Sequence, residues 1–340
     1  MKKTDSGNAI KRRKSVSYAK WGVIFILPFF IVYITCSLVP QFLTIYNSFF
    51  ENYRSGLTQI GPKFVGFDNY KKLFTPNKNG DIVIIKYAIN TIVMWVAGAI
   101  PQFAIGLLLA VWFTSSRLKV KAQGFWKTVI YMPNLIMASA FSMLFFSLFG
   151  LIGPVNQILT QNGILDKAFN FFGSTWSLRT MVALMNFLMW FGNSTILFMA
   201  GIMGIDGSIF EAATIDGANS RQVFFKIIFP LLAPIISYTF ITAMIGGIQM
   251  YDVPQVLTDG RGGPNETGMT LIMYLNRLLN PSKNYGMGGA LSVVIFIFTA
   301  IFSLYVYNTM AKQYSTNANM DKADKKAAKM ARKAAKKGVK

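Results

Sequence analysis

The chain contains no histidine. That excludes a histidine base, a catalytic triad and any histidine metal site. Its single cysteine, Cys36, lies in an apolar run, so there is no internal disulfide and no cysteine cluster. No Gly-Lys pair occurs, which excludes a phosphate-binding loop of the G-x-x-x-x-G-K type. Charge is scarce: 14% of the 340 residues are charged, against about 25% in an average soluble domain. Acidic residues are the scarcest, 13 against 34 basic ones, for a formal charge of +21. Much hydrolase, redox and ATPase chemistry is thereby excluded.

What is present is apolar surface, in 53% of the residues. Six stretches carry no charge at all: Trp21 to Phe50, Tyr87 to Ser116, Thr128 to Leu165, Thr180 to Ile205, Ile227 to Tyr251, and Asn284 to Ala311. Each exceeds the roughly 20 residues that a helix needs to cross the hydrocarbon core. A soluble helix would show a polar face every turn. The reading is an all-α membrane protein with six transmembrane helices. The third stretch is too long for one span, and its second half, Gly150 to Gly163, has the Gly, Pro and Asn of a loop or surface helix. Trp21, Tyr46, Tyr87, Trp112 and Trp126 fall near the expected ends, where amphipathic rings suit the headgroup region. The basic leader resembles a signal n-region, but the run after it continues without a small-x-small cleavage site and reads as a first span.

Lysine and arginine set the orientation. Residues 1 to 20 hold seven, Thr114 to Lys127 four, Asp206 to Lys226 two and the tail after Ala311 ten, which puts 23 on one side and 11 on the other. Both termini and the Asp206 to Lys226 connection are therefore expected in the cytoplasm. The chain divides into a basic leader (1–20), a six-helix domain (21–311) containing the cytoplasmic segment 206–227, and a Lys/Ala-rich tail (312–340). The segment Glu51 to Lys86 places six basic residues outside, and it is long enough to fold as a small cap. In the tail, basic residues recur at helical spacing. That suits attraction to anionic inner-leaflet lipid, or a solvated tail that aids orientation. With no aromatic platform there, nucleic acid is not an expected partner.

The cytoplasmic segment runs from Ile209 through Glu211-Ala212-Ala213, Asp216-Gly217-Ala218 and Phe224-Phe225-Lys226 to Pro230-Leu231. Its pattern predicts a short amphipathic helix, a turn and a second short helix. Ala213 and Gly217 stand four apart and offer a small face. Gly217 breaks the first helix. Glu211 is expected near that helix's positive end. Phe210, Phe224 and Phe225 are candidate anchors. Pro230 marks an expected break where the chain re-enters the membrane.

Glu-Ala-Ala, three residues, Gly, nine residues and then Ile-x-x-Pro resembles the EAA loop of binding-protein-dependent ABC importer permeases. Here these are Glu211-Ala212-Ala213, Gly217, Ile227 and Pro230, before the penultimate span as in that family. The resemblance runs from about Trp21 to Asn308. It includes Phe64-Val65-Gly66-Phe67-Asp68-Asn69-Tyr70, then Val256-Leu257-Thr258 with Gly262-Gly263-Pro264 and Thr267, and Tyr285-Gly286 with Ala290-Leu291-Ser292. The chain looks like the oligosaccharide branch of these permeases. It departs from the family in having Ile205-Asp206 where Ile-Pro is common, and in its basic tail.

The resemblance implies half of a pore, paired with a second homologous permease, docked on two ATPase subunits and fed by an extracellular sugar-binding protein. The segment from Glu211 to Gly217, with Pro230 after it, would be the coupling element seated in a groove of the ATPase. No cofactor would be bound by this chain, and ATP and Mg would belong to the partner ATPases. The chain itself would perform no covalent chemistry. A sugar needs aromatic faces and amide or carboxylate groups near mid-membrane. Asn186, Trp190, Asn193 and Ser194 share the fourth run; Asn186 and Trp190 are four apart, Trp190 and Asn193 three. Gly246, Gly247, Gln249, Tyr251 and Asp252 cluster toward the outer end of the fifth. Polar residues within spans are often functional. Paired glycines and asparagines also glue helices together, and for each of these residues both readings stand. Alternatives are a permease for another solute such as glycerol phosphate, a secondary carrier or channel, and a scaffold without transport. A carrier would need ionisable groups within its spans, and an anion path would favour Arg or Lys there. The six runs have neither.

Overall fold

The computed structural model describes residues 19–77, 80–115, 120–280, 282–311 and 327. The expected leader (1–20) and tail (312–340) lie almost entirely outside these residues. Six helical segments are long and apolar enough to cross a membrane, as the uncharged runs predict.

The first crossing is α1 (Ala19–Tyr33), a π-helical turn at Ile34–Leu38, and α2 (Val39–Ser48). The same device recurs later: a π-helical turn at Phe224–Ile228 leads into a helix with Pro230 in its first turn, as Pro40 stands in the first turn of α2. Proline lacks an N–H, and its ring presses on the carbonyl four residues back. A π turn just before it widens the coil and lets the helix run on. The break expected at Pro230 is therefore absent: the chain re-enters as one continuous helix.

An antiparallel hairpin, β1 (Phe50–Ser55) and β2 (Thr58–Phe64), follows, and then α3 (Asp68–Phe74). These form the small cap at one end of the first crossing. Among the described residues the hairpin is the one departure from an all-helical chain. Asn69 Nδ2 donates to the carbonyls of Ser48 and Phe50 at 2.9 Å, and Tyr70 Oη lies 2.7 Å from Ser48 Oγ. The segment Phe64 to Tyr70 thus ties the cap to the end of α2.

The second crossing is α4 (Val83–Thr114). The third is assembled from pieces: α5 (Gln123–Leu135), α6 (Ala138–Phe149) and α7 (Pro154–Gln161), the last where a surface helix was expected. Ile136 and Met137 are extended, with ψ of 133° and 132°. Asn134 Nδ2, just before this interruption, donates to the Met189 carbonyl at 3.1 Å. Next come α8 (Thr175–Met203), α9 (Gly207–Ile215), α10 (Ser220–Val223), α11 (Phe229–Ile248), α12 (Asp252–Leu257), α13 (Leu271–Leu279) and α14 (Tyr285–Val306).

The centre of the bundle is the α4–α8 pair. Buried positions 87, 91, 94, 98, 102, 106, 110 and 113 make one stripe down α4 at three- and four-residue spacing. A Cβ on Gly98 would stand 2.8 Å from the Ala183 carbonyl oxygen. Small residues of this kind let helix backbones approach where lipid offers no hydrophobic drive. One end of the bundle packs Leu73, Tyr87, Ile248, Met273 and Leu291. The other packs Phe113, Phe198, Ile202, Ile228 and Leu232 with Phe210 of α9. α1 is exposed along its length, with Phe25 81% exposed, as a lipid-facing helix would be.

Candidate coupling segment and translocation path

The segment 206–227 folds as a helix, a turn and a second helix. Asp206 caps α9, its carboxylate accepting from the Ser208 N–H at 3.0 Å. Hydrogen bonds from Ser208 hold this exposed carboxyl below the ordinary carboxylate range. The entry turn is thus closed by an aspartate where the resembling family commonly has proline. α9 ends in a Schellman motif: Gly217 N–H donates to Thr214 O at 3.1 Å and Ala218 N–H to Ala213 O at 2.9 Å, with Gly217 at a φ of +70°. α10 opens with a capping box between Asn219 and Gln222.

Two expectations for this segment change. Glu211 is the fifth residue of α9 and not in its first turn, because the cap lies at Asp206. Ala213 and Gly217 do not form one small face: Ala213 is buried, and Gly217 lies past the helix end and exposed. Glu211, Ala212 and Asp216 are exposed, and so is Ile215, at 87%. Ile215 carried its own signal in the sequence, as an isoleucine between a threonine and an aspartate on a water-facing helix. Phe210 is packed against the bundle. Phe224 meets Phe225 at 4.8 Å between ring centroids, while Phe225 stays exposed with the Arg221 guanidinium 6.0 Å from its ring. A cavity of about 430 Å³ separates α9 from the ends of the spans, lined by Val111, Thr114, Ile202, Phe210, Glu211 and Val223 among others.

A second cavity, of about 380 Å³, opens between α4, α8 and α11 in the middle of the spans. Asn186, Trp190, Asn193, Ser194, Gly246 and Gly247 line it. Most of the remaining wall was not read from the sequence: Trp95, Ala99 and Gln102 from α4, and Tyr238, Thr239 and Thr242 from α11. Gln102 carried a signal, as an amide inside an uncharged run; its Nε2 donates to Ser194 Oγ at 2.8 Å, and both are buried. Asn186 Nδ2 donates to Val182 O at 2.9 Å. Trp190 is 45% exposed and Tyr238 60%, so both offer ring faces. No lining residue is charged. The two glycines divide their work: a Cβ on Gly246 would meet nothing within 4 Å, whereas one on Gly247 would stand 2.0 Å from Trp95 Cδ1.

Gln249, Tyr251 and Asp252 lie elsewhere. α11 ends at Ile248, and the chain turns away beyond it. Gln249 faces a groove with Leu275 and Phe296. Tyr251 Oη accepts from Asn276 Nδ2 at 2.8 Å, and Asp252 is the exposed first residue of α12.

The cap end carries a polar latch that the sequence did not announce. Tyr87 Oη donates to Glu266 Oε2 at 2.6 Å, and Arg277 Nη1 to Glu266 Oε1 at 3.0 Å. Arg179 Nη2 donates to Asn90 Oδ1 at 2.6 Å, and Asn90 Nδ2 to the Glu266 carbonyl at 2.9 Å. Burial would raise the Glu266 carboxyl, but the hydrogen bonds from Tyr87 and Arg277, and the Arg277 and Lys86 charges, hold it below its ordinary value. Tyr87, expected at the interface, is instead buried in this latch. Arg277 stands in the last turn of α13.

The comparisons with known proteins agree with this architecture. Residues 85–313 match the model of the family described as "Binding-protein-dependent transport system inner membrane component". The chain is 31% identical to the lactose transport system permease protein LacF of Rhizobium radiobacter, over 71% of this chain and 79% of that one. It is 29% identical to the multiple sugar-binding transport system permease protein MsmF of Streptococcus mutans, over 84% and 93%. In fold it is similar to a chain of a bacterial alginate ABC transporter solved with a periplasmic protein bound to alginate pentasaccharide. That match has a TM-score of 0.69 and 20% identity, covering 85% of this chain and 93% of that one. The chain belongs to the family of binding-protein-dependent transport system inner membrane components, as a multi-pass permease of the plasma membrane.

Proposed function

We propose that this chain forms one half of the translocation path for a neutral sugar or oligosaccharide. The observation that carries the reading is the mid-span cavity: aromatic faces and amide or hydroxyl groups line it, and no charged side chain does. Rings stack on sugar faces, and amides and hydroxyls exchange hydrogen bonds with sugar hydroxyls. A glycerol phosphate path would need a cation to offset the buried phosphate charge, and the lining offers none. Relatives named for lactose, arabinooligosaccharides and starch degradation products support the same class.

In this reading a second homologous permease completes the path, and an extracellular binding protein delivers the sugar. Two ATPase subunits bind ATP and Mg and do all the covalent chemistry. The segment 206–227 and both termini face the cytoplasm, as the basic-residue bias favours. α9 is short and closed at both ends by caps, so it can carry a rigid-body displacement from an ATPase to α8 and α11. Glu211, Ala212, Asp216 and Gly217 supply its outer surface.

The test is binding-protein-stimulated ATPase activity in proteoliposomes, with partner permease, ATPase and a sugar panel. Gly217→Asp is the informative variant. A Cβ at 217 meets nothing within 4 Å, but the φ of +70° strains any side chain there, so Gly217→Asn, which carries the same strain without the charge, is the control. The new carboxylate projects at whatever covers this surface. Assembly should persist, and stimulation should fall at least about tenfold, the loss that 1.4 kcal/mol of coupling represents. Unchanged stimulation removes Gly217 from coupling. Absence of any association with an ATPase sinks the importer reading.

A further inference from the structure

Trp95 projects from α4 into the wall between the mid-span cavity and a small apolar cleft of about 60 Å³ bordered by Met244 and Phe298. Its indole rests against Gly247 of α11 and meets Phe240 edge-on at 5.6 Å. Its Nε1 is buried and has no hydrogen-bond partner among the described residues. A buried, unmet donor is disfavoured, and such groups are rare enough in folded proteins to need an explanation.

The geometry points to one. The absent side chain at position 247 is what admits the ring: a Cβ there would stand 2.8 Å from Nε1 and 2.0 Å from Cδ1. The neighbouring Gly246 leaves open space on the cavity side. In this arrangement the α11 backbone covers the N–H. A displacement of α11, or a turn of the ring, uncovers it toward Asn186 and Trp190.

We propose that Trp95 is a substrate-positioning donor, whose N–H is held covered by Gly247 in this conformation and turns onto a sugar hydroxyl when α11 moves. The inference rests on the sugar reading above. Its consequence is a bias between states. A ligand shifts a conformational equilibrium only by its differential affinity for the two forms. A sugar oxygen that accepts from Trp95 in the uncovered form, and not in the covered one, supplies such a difference. Trp95 therefore selects substrates with an acceptor at one position and links their presence to the position of α11.

The experiment uses the reconstituted transporter with sugar-loaded binding protein at saturation, and compares a parent sugar with its monodeoxy series. Trp95→Phe keeps a ring against Gly247 and removes the N–H. In the wild type, one monodeoxy sugar should be transported three- to tenfold more slowly than the parent, the range expected for a neutral hydrogen bond. In Trp95→Phe that particular difference should vanish, while discrimination at the other positions persists. A merely structural role would slow all sugars alike and leave the ratios unchanged, and that outcome overturns the proposal. If Trp95→Phe does not assemble, benzothienylalanine at position 95, which replaces the N–H by sulfur in a ring of the same size, carries the same comparison. Wild-type protein that no sugar stimulates overturns the sugar reading itself. Sugar transport with identical deoxy profiles in wild type and variant overturns only the role of Trp95.

Discussion

Glu266 shows how a single side chain holds the cap end of this permease together. It is a carboxylate in a half-buried loop, with a tyrosine from α4 and an arginine from α13 both donating to it. Its carboxyl is held below the ordinary range, so the native state binds its proton less readily than the unfolded chain does. The stabilisation is then complete above the unfolded value of about 4.3 and is lost as pH falls through the lower, folded value. Thermal unfolding of the purified complex should reveal this. The midpoint of the wild type should decline on acidification below about pH 4.3, and Glu266→Gln should decline less. At neutral pH the variant should unfold a few degrees lower, because Arg277 loses its counter-charge. Parallel pH profiles for the two proteins would show that the latch does not sense this carboxyl. Sequence alone gave no sign of the latch, since Tyr87 and Arg179 are far in the chain from each other and from the Glu266–Arg277 pair, and only the α4–α8 and α13 packing joins them.

At the scale of elements, α9 is the part whose sequence and structure agree best. Its glycine stop, its length and the second helix follow from local rules of capping and turn formation. Those rules work on neighbours in the chain, which is why they could be read directly. Two expectations failed here for different reasons: Glu211 is not near the helix start because Asp206 fixes the cap a turn earlier, and the paired small face is lost because Gly217 lies beyond the helix end while Ala213 turns inward. The exposed Ile215 then follows from the register: with Ala213 turned inward, position 215 faces out. Ile215→Ser should leave α9 folded, since the side chain is 87% exposed. It should weaken association with an ATPase about tenfold if that isoleucine enters an apolar pocket, as a desolvated aliphatic anchor would. Ala213→Leu is the contrasting variant: it overpacks a buried site and should loosen α9 from the spans. Copurification at graded salt separates the two. Equal retention of the ATPase by Ile215→Ser and wild type would remove that residue from the interface.

At the scale of the whole molecule, the six crossings were legible because lipid demands a run of apolar residues whatever the helix packs against. The same demand hid the packing. A helix that is apolar all round has no stripe to read, so the buried line of α4 and the wall made by Trp95, Gln102 and Tyr238 required the fold. Sidedness is the remaining global property, and one property of the chain makes it measurable. Cys36 is its sole cysteine, so Cys36→Ser yields a cysteine-free background. Two positions are exposed enough to accept a label without disturbing packing: Leu57 at the hairpin tip, 102% exposed, and Ile215 on α9, 87% exposed. Three crossings, α4, the one assembled from α5, α6 and α7, and α8, separate the hairpin from α9, and an odd number puts them on opposite faces. The bias of basic residues assigns the hairpin to the outside. In intact cells, a membrane-impermeant maleimide should therefore modify Leu57→Cys and leave Ile215→Cys untouched until the membrane is permeabilised. Labelling of both in intact cells would contradict the odd crossing number. The reverse pattern would keep the fold and invert the orientation, and with it the assignment of α9 to the ATPase side.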